Sequence, residues 1–348
     1  MKIGMIGLPQ TGKKALFELL TGHKPSEHEV ASGKPIHGVA EIRDSRFDAL
    51  VAMYKPKKEV RARIELELLP KIEKDAISKG DIFEDIAEVD ALCHVVRAFK
   101  DDSIYHANGS VDPKRDIDAI NSELLLHDLI FIEKRFERLD KKVKQTKEEA
   151  SMKERDLLVK LKAHLDKELP LRMLKISADD NKMLTSYPFL TRKEMIIALN
   201  VSEDQLKNKP PVEGDNIMQV SAKVESEIAA LDSEEERKAF LADLGITEPA
   251  MNILTRLCLK TLNLISFFTV GQDEVRQWNV KAGSTAAEAA GVIHSDLQKG
   301  FIRAELIKLN DLKELGSEDA VKARGKFYLK GKDYIVEDGD ILSIRFNV

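Results

Sequence analysis

The residues best suited to chemistry lie near the amino terminus, between an apolar stretch and a helical one. Gly7, Gly12 and Lys13 fit the first seven positions of the G-x-x-x-x-G-K-[S/T] pattern. Glycines at this spacing let backbone N–H groups turn toward phosphate oxygens, and the lysine supplies an ammonium group for the terminal phosphates. The eighth position is Lys14, where a Ser or Thr hydroxyl would hold Mg²⁺. The pattern predicts an ancestral phosphate loop. Retained nucleotide binding stays open, because Lys14 could supply charge in place of the metal or point to solvent.

A phosphate loop needs a strand before it and a helix after it. Residues 2–6 are short, apolar and ended by a glycine, which predicts a buried strand. Residues 13–21 have a helical apolar pattern. Two further strands are predicted at 89–97 and 195–201. Strands that alternate with helices favour a parallel, helix-covered sheet, so the predicted fold class is α/β.

Apolar residues spaced three and four apart predict an antiparallel helical hairpin inserted between the last two strands. A cluster of lysines and arginines at 134–147 forms a basic stripe on the first helix, which could contact RNA phosphates. The solvated outer face of a coiled coil is the favoured interpretation of this stripe. The apolar positions are Leu125, Leu129, Ile132, Phe136, Leu139 and Val143 in the first helix, and Leu157, Leu161, Leu165 and Leu169 before Pro170 in the second.

The last part of the chain has a different pattern. Strand-like segments at 265–269, 275–280, 334–336 and 341–346 bracket one helix near 286–293, which predicts a small α+β domain. A further helix is predicted at 232–244, where Asp232 and Glu235 have capping-box spacing.

Composition limits the classes of protein that the chain could be. It has 348 residues, of which 33% are charged and 43% hydrophobic, with a formal net charge of −5. This charge excludes a protein that coats nucleic acid by bulk charge alone. Two distant cysteines, Cys93 and Cys258, indicate a reducing, cytoplasmic location. The sequence contains no apolar run of about 18 residues, so no membrane span is expected.

Several longer segments carry a resemblance to a known family. They are the residues at 55–58 (KPKK), 88–97 (EVDALCHVVR), 111–117 (VDPKRDI), 200–204 (NVSED), 289–296 (AAGVIHSD), 300–304 (GFIRA) and 331–336 (GKDYIV). With the phosphate loop, they make the chain resemble the YchF family of Obg-like ATPases over nearly its whole length. The resemblance implies a Ras-like P-loop NTPase sheet with a helical coiled-coil insertion and a C-terminal ubiquitin-like α+β TGS domain. The implied boundaries are 1–112 and 176–263 for the G domain, 113–175 for the insertion and 264–348 for the TGS domain.

The resemblance also implies a nucleotide site. The family reads the base with N-x-x-E and favours ATP; Asn200 and Glu203 occupy those positions, and Ser221 and Ala222 resemble the S-A loop behind the base. ATP or GTP is the expected ligand. The predicted nucleotide-binding residues are Gly7, Gln10, Thr11, Gly12, Lys13, Lys14, Ala15, Asn200, Val201, Glu203, Ser221 and Ala222.

Departures from the family pattern concern the metal. The Asp-x-x-Gly motif after the second strand aligns with Leu68 and Lys71, and the Thr of the first switch aligns with Ser32. Lys14 and Leu68 offer no oxygen to Mg²⁺, which phosphoryl transfer needs to neutralise developing charge. Mg²⁺ binding is expected to be weak or absent, hydrolysis very slow or absent, and no metal ligand or catalytic residue is assigned.

The sequence therefore predicts a degenerate family member that binds nucleotide and acts by binding. The expected partner is the ribosome or its RNA, contacted through the coiled coil and the TGS domain. Two alternatives stay open. One is an active ATPase or GTPase in which unrecognised ligands hold the metal. The other is an interaction scaffold with no nucleotide site.

Overall fold

The computed structural model describes residues 1–72, 81–146, 149–246 and 248–347. The chain divides into two compact units. The first consists of Met1–Gly38 and Glu65–Leu254, and the second of Val39–Ile64 and Thr255–Val348. A short segment from the amino-terminal half therefore belongs to the same unit as the C-terminal part. The four-part domain division at 112, 175 and 263 stays a prediction.

The helices and strands follow one another as the alternating pattern predicts for much of the chain. The strands are β1 (Lys2–Ile6), β2 (Ile36–Glu41), β3 (Lys58–Val60), β4 (Arg63–Leu68), β5 (Ala91–Arg97), β6 (Glu194–Asn200), β7 (Ile217–Val220), β8 (Leu264–Thr269), β9 (Glu274–Lys281), β10 (Phe301–Lys308), β11 (Phe327–Lys330) and β12 (Asp340–Phe346). The α-helices are α1 (Lys13–Thr21), α2 (Glu27–Ala31), α3 (Ser45–Tyr54), α4 (Asp81–Ala87), α5 (Pro113–Thr146), α6 (Glu149–Leu165), α7 (Ala178–Met183), α8 (Ala222–Ala229), α9 (Glu234–Asp243), α10 (Ala250–Thr261), α11 (Ala286–Ile293), α12 (Ser295–Lys299), α13 (Leu309–Leu315) and α14 (Glu318–Ala323).

The first sheet has the strand order β2-β4-β1-β5-β6-β7. Neighbouring strands from β4 through β1, β5 and β6 to β7 are parallel. Strand β1 lies inside the sheet, and Ile3, Met5 and Ile6 are fully buried there. This confirms the predicted α/β class. Because β1, β5 and β6 run in the same direction, their carboxyl ends meet at one edge, where ligands of such sheets bind.

The helical hairpin is formed by α5 and α6 around one apolar cluster. Leu125, Ile132 and Leu139 of α5 are buried together with Leu157, Leu161 and Leu165 of α6, as the apolar spacing predicts. The prediction that Leu169 belongs to the apolar face of the second helix is wrong, because its side chain is 38% exposed. Helix α6 ends at Leu165, and the chain turns at Glu168, whose φ is +61°. The side chain of Val143 lies outside the described residues.

The second unit contains a sheet with the order β11-β10-β12-β8-β9-β3. Helix α11 packs Ala286 and Ala289 on one apolar cluster of this unit, and α3 contributes Phe47 and Leu50 to another. The predicted strand at 334–336 is wrong: Ile335 makes only an isolated bridge to Thr285. Strands β10 and β11 lie where the sequence predicts none.

The start of α9 also corrects a prediction. Its N-cap is Ser233, whose Oγ accepts a hydrogen bond from the backbone N–H of Glu236 at 3.1 Å. The Glu236 carboxylate accepts the backbone N–H of Ser233 at 3.2 Å. The capping box therefore lies one residue beyond the predicted Asp232 and Glu235. A Ser hydroxyl is the usual first member of this box.

No helix in the described part of the chain is both long enough and apolar enough to cross a membrane.

Candidate functional site

The phosphate loop follows β1 directly and leads into α1, and its two glycines are required by close backbone approaches. A Cβ atom at Gly7 would lie 2.5 Å from the carbonyl oxygen of Val95 in the neighbouring strand. At Gly12, where φ is +88°, it would lie 2.2 Å from Nδ2 of Asn200. Both distances are too short for any side chain. The loop thus folds as the glycine spacing predicts.

Lys13 is buried under the loop and tied to the chain after β4. Its Nζ donates hydrogen bonds to the carbonyl oxygens of Leu69 at 2.6 Å and Pro70 at 3.1 Å. Burial, together with the smaller effect of the neighbouring Lys14 ammonium, lowers the pKa of Lys13 to about 7. The lysine that would reach terminal phosphates is therefore held by two main-chain oxygens in this conformation.

Asn200 joins the phosphate loop to the beginning of α8. It lies at the carboxyl end of β6, and its side chain is buried. Its Nδ2 donates to the carbonyl oxygen of Thr11 at 3.0 Å, and its Oδ1 accepts the backbone N–H of Ala222 at 3.0 Å. Ser221 caps α8 through a hydrogen bond from Val224 N–H to its Oγ. One amide side chain thereby fixes two segments that the sequence places near the nucleotide.

The other predicted base-site residues lie close by in sequence but differ in exposure. Val201 is buried and donates its N–H to the carbonyl oxygen of Val220 at 2.9 Å. Glu203 is exposed in a short 3₁₀ turn, three residues beyond Asn200. The structure therefore brings Asn200, Ser221 and Ala222 together, while the Glu203 side chain lies at the surface.

A cavity of about 910 Å³ lies beside the phosphate loop. Among the described residues, four lysines and one carboxylate, that of Asp85, line it. An excess of ammonium groups over carboxylates suits an anionic ligand. The lining comprises Leu8, Pro9, Gln10, Thr11, Gly12, Lys13, Lys14 and Ala15 of the loop and α1; Val30, Ala31, Gly33, Lys34 and Ile36; Leu68, Leu69, Pro70 and Lys71; and Ile82 and Asp85 of α4.

Two of the three positions at which the family resemblance places magnesium ligands offer no side-chain oxygen, and the hydroxyl of the third is hydrogen-bonded within its own segment. Lys14 is exposed in the first turn of α1, and Leu68 lines the cavity at the end of β4. Ser32 donates its hydroxyl to the Glu29 carbonyl oxygen at 2.6 Å and accepts the Lys34 N–H at 3.2 Å. Within the described ranges, no group of three or more His, Cys, Asp or Glu side chains could hold a metal. These donors do not fit Mg²⁺, which prefers oxygen ligands in octahedral geometry.

Sequence reasoning did not assign Lys34, Lys71 or Asp85 to the site. Each comes from a different segment, and only the folded chain brings them to one cavity. The sequence signal that could have indicated Lys34 and Lys71 is that both are lysines close to the aligned switch positions, Ser32 and Leu68.

His94 is a further buried polar group at this end of the sheet. It lies in β5 with 1% of its surface exposed. Burial lowers its pKa to about 3, and the charges of Lys13 and Arg172 act in the same direction. His94 is therefore neutral at physiological pH and adds no charge near the loop.

A parallel sheet, a glycine-dependent loop at its carboxyl edge, an asparagine that braces this loop and a lysine-lined cavity define a P-loop protein of the nucleotide-binding α/β class. Residues 264–347 match the family model YchF-GTPase_C, described as a protein of unknown function (DUF933). The chain belongs to the YchF family, and the predicted resemblance is confirmed.

Relatives match over almost the whole chain. The chain is 39% identical to the ribosome-binding ATPase YchF of Bacillus subtilis, and the match covers 99% of each. It is 40% identical to the protein of the same name from Haemophilus influenzae, over 100% of this chain and 99% of the relative. Obg-like ATPase 1 of Oryza sativa subsp. japonica is 36% identical, over 100% of this chain and 92% of the relative. The solved structure of the Schizosaccharomyces pombe YchF GTPase has a TM-score of 0.85 at 31% identity, covering 99% of this chain and 97% of that one.

Proposed function

We propose that this chain binds a nucleoside triphosphate, ATP or GTP, in the cavity beside the phosphate loop and acts as a ribosome-associated binding protein with little or no hydrolysis. The observation that carries the proposal is the bracing of the loop by Asn200. Its two hydrogen bonds, to Thr11 and Ala222, fix the loop against the end of β6 and the start of α8. A preformed site avoids the cost of ordering the loop on binding.

The charge of the site supports a phosphorylated ligand. Backbone N–H groups at the start of α1 favour anions, and Lys14, Lys34 and Lys71 add positive charge around the cavity. The relatives are named ATPases, and the structural match is named a GTPase, so both bases are candidates. Asn200, which contacts the phosphate loop, and Glu203, Ser221 and Ala222 lie outside the lining of the cavity and are the residues proposed to surround the base.

Little or no hydrolysis is the second part of the proposal. Phosphoryl transfer in P-loop proteins relies on Mg²⁺ to neutralise charge that develops on the β and γ oxygens. Lys14 and Leu68 stand where the hydroxyl and the carboxylate would be. An ammonium group can offset charge, but it donates hydrogen bonds only and cannot coordinate a cation.

The ribosome is the proposed partner because several relatives are named ribosome-binding ATPases. Helix α5 offers one basic surface for such contact: Lys134, Arg138 and Lys141 are exposed, and their spacing of four and three places them on one helix face. Two other arginines of the hairpin are already paired, Arg135 with Glu154 and Arg155 with Asp140. The C-terminal unit is the second proposed contact surface. A solvated helix face is the alternative use of the three basic residues.

Titration calorimetry with ATP, GTP and ADP tests the nucleotide part. We expect binding by the native chain and its loss in Lys13→Ala. Heat from none of the three nucleotides would instead support a scaffold without a nucleotide site. Steady turnover of ATP or GTP well above the Lys13→Ala level would support an active enzyme.

Co-sedimentation with ribosomes at moderate salt tests the partner. We expect the native chain in the ribosomal pellet, and a clear reduction when Lys134, Arg138 and Lys141 are all changed to Ala. The matched control carries Lys134→Arg, Arg138→Lys and Lys141→Arg. These substitutions retain every charge, so this variant should still be found in the ribosomal pellet. Recovery of the native chain only in the ribosome-free fraction would remove this partner.

A further inference from the structure

We infer that the cavity selects a polyphosphate that carries no metal ion, and that Mg²⁺ weakens binding instead of assisting it. This inference rests on the proposed nucleotide function and concerns the chemical form of the ligand. It makes Lys14 a specificity-determining residue, because this side chain occupies the position of the usual metal-binding hydroxyl.

The donor set of the site argues against a metal complex. Lys14 replaces a hydroxyl with an ammonium group, and Leu68 presents an apolar side chain at the end of β4. Ser32 uses its hydroxyl in hydrogen bonds with Glu29 and Lys34. A metal held by phosphates here would gain no ligand from Lys14 or Leu68, and it would be repelled by the nearby ammonium group.

The charge of the cavity argues for a metal-free ligand. Lysines lie on both of its sides: Lys13 and Lys14 belong to the loop and α1, whereas Lys34 precedes β2 and Lys71 follows β4. In the described part of the chain, Asp85 is the carboxylate that lines the cavity. A free triphosphate carries two more negative charges than its complex with a divalent cation. The free form therefore has the stronger attraction to the ammonium groups of Lys14, Lys34 and Lys71.

The contacts of Lys13 make the outer lysines more important. Its Nζ is held by the carbonyl oxygens of Leu69 and Pro70 and lies largely out of solvent. Lys14 and Lys34 are exposed, and both line the cavity. These two side chains can move to phosphate oxygens without breaking a buried hydrogen bond.

Calorimetric titration of the full chain with ATP tests the inference in two buffers of equal ionic strength. One contains EDTA, and the other contains enough MgCl₂ to saturate ATP. We expect affinity about tenfold lower with Mg²⁺, which corresponds to about 1.4 kcal/mol. Equal or tighter binding with Mg²⁺ would overturn the inference and leave the proposed nucleotide function intact. Absence of binding in both buffers would overturn the proposed function and this inference together.

Substitutions at the metal positions provide a gain-of-function test. Lys14→Ser should weaken binding of free ATP by about tenfold and reduce the Mg²⁺ penalty, because one ammonium is lost and one hydroxyl gained. The double variant Lys14→Ser and Leu68→Asp should reverse the preference and bind better with Mg²⁺. Lys24→Ser is the matched control, because Lys24 is exposed and does not line the cavity.

Leu68 is buried, so a melting curve must accompany the double variant. If the double variant does not fold, the Mg²⁺ dependence of ATP binding by Lys14→Ser alone tests the inference. Lys14 is exposed, so this single variant is expected to fold. An unchanged Mg²⁺ penalty in folded Lys14→Ser, equal to that of Lys24→Ser, would contradict the assigned role of Lys14.

Discussion

Removing the side chain of Asn200 should loosen the phosphate loop and destabilise the first unit. Asn200→Ala leaves the carbonyl oxygen of Thr11 and the N–H of Ala222 without their present partners. Thr11 and Ala222 are only 3% and 8% exposed, so water replaces these bonds poorly. A buried polar group that loses its partner costs about 1–3 kcal/mol, so the two together should lower the free energy of unfolding by about 2–6 kcal/mol.

Urea unfolding monitored by circular dichroism measures this loss, and ATP titration measures its effect on the site. We expect ATP affinity to fall by about tenfold or more, because the competent loop becomes a minority conformation. Asn200→Asp should also destabilise, since a carboxylate oxygen would face the Thr11 carbonyl oxygen. Asn208→Ala is the matched control: Asn208 is exposed and makes one long hydrogen bond of 3.4 Å.

The reasoning about Asn200 would be refuted by an Asn200→Ala variant that unfolds within about 0.5 kcal/mol of the native chain, as surface substitutions usually do, and that binds ATP equally well. A loss of stability with unchanged affinity would separate the two roles and leave only the structural one.

Three further predictions concern backbone strain, pH and packing. Gln10→Gly should stabilise the chain by about 1 kcal/mol in urea unfolding, because Gln10 is exposed with φ at +62°; a loss of stability would show that this side chain makes a needed contact. Below pH 6.5, stability should fall more steeply in the native chain than in His94→Gln, because the pKa of buried His94 is lowered to about 3 and the unfolded state takes up the proton first; parallel stability curves would contradict this. Leu158→Ala should cost about 2–5 kcal/mol in thermal or urea unfolding, whereas Val159→Ala should cost little, since Leu158 is fully buried and Val159 is 46% exposed; equal losses would contradict the packing of α5 against α6.

Local pattern was sufficient to predict the elements that hold the phosphate loop. The predicted strand 2–6 and helix 13–21 coincide with β1 and α1. Both follow from short-range chemistry: an apolar run ends at Gly7, and an amphipathic helix starts after Gly12. The strand that ends at Asn200 was also predicted to within one residue.

In the C-terminal part of the chain, local pattern predicted three strands and one helix to within one residue, but it failed for the remaining strands. Strand β10 reads F-I-R-A-E-L-I-K, and an irregularity in its pairing between Phe301 and Arg303 breaks the alternation that would indicate a strand. Strand β11 has only four residues and lies at the sheet edge. The predicted strand at 334–336 is apolar in part, yet it pairs at one bridge only.

Contacts between distant segments could not be predicted from one sequence. Strand β3 pairs in parallel with β9, where Lys58 lies opposite Glu274. Phe47 of α3 packs in one cluster with Phe268. The lysine-lined cavity has the same origin, because its walls come from four separated segments. Asn200 was selected through a family resemblance; its two hydrogen bonds depend on the folded positions of Thr11 and Ala222.

Single-turnover hydrolysis tests the central claim, binding without effective hydrolysis, most directly. Excess protein is mixed with γ-labelled ATP, bound nucleotide is measured on filters, and released phosphate is followed with and without Mg²⁺. The account predicts that ATP is retained while phosphate release stays at the level of the Lys13→Ala variant under both conditions. Mg²⁺-dependent release clearly above that variant would contradict it.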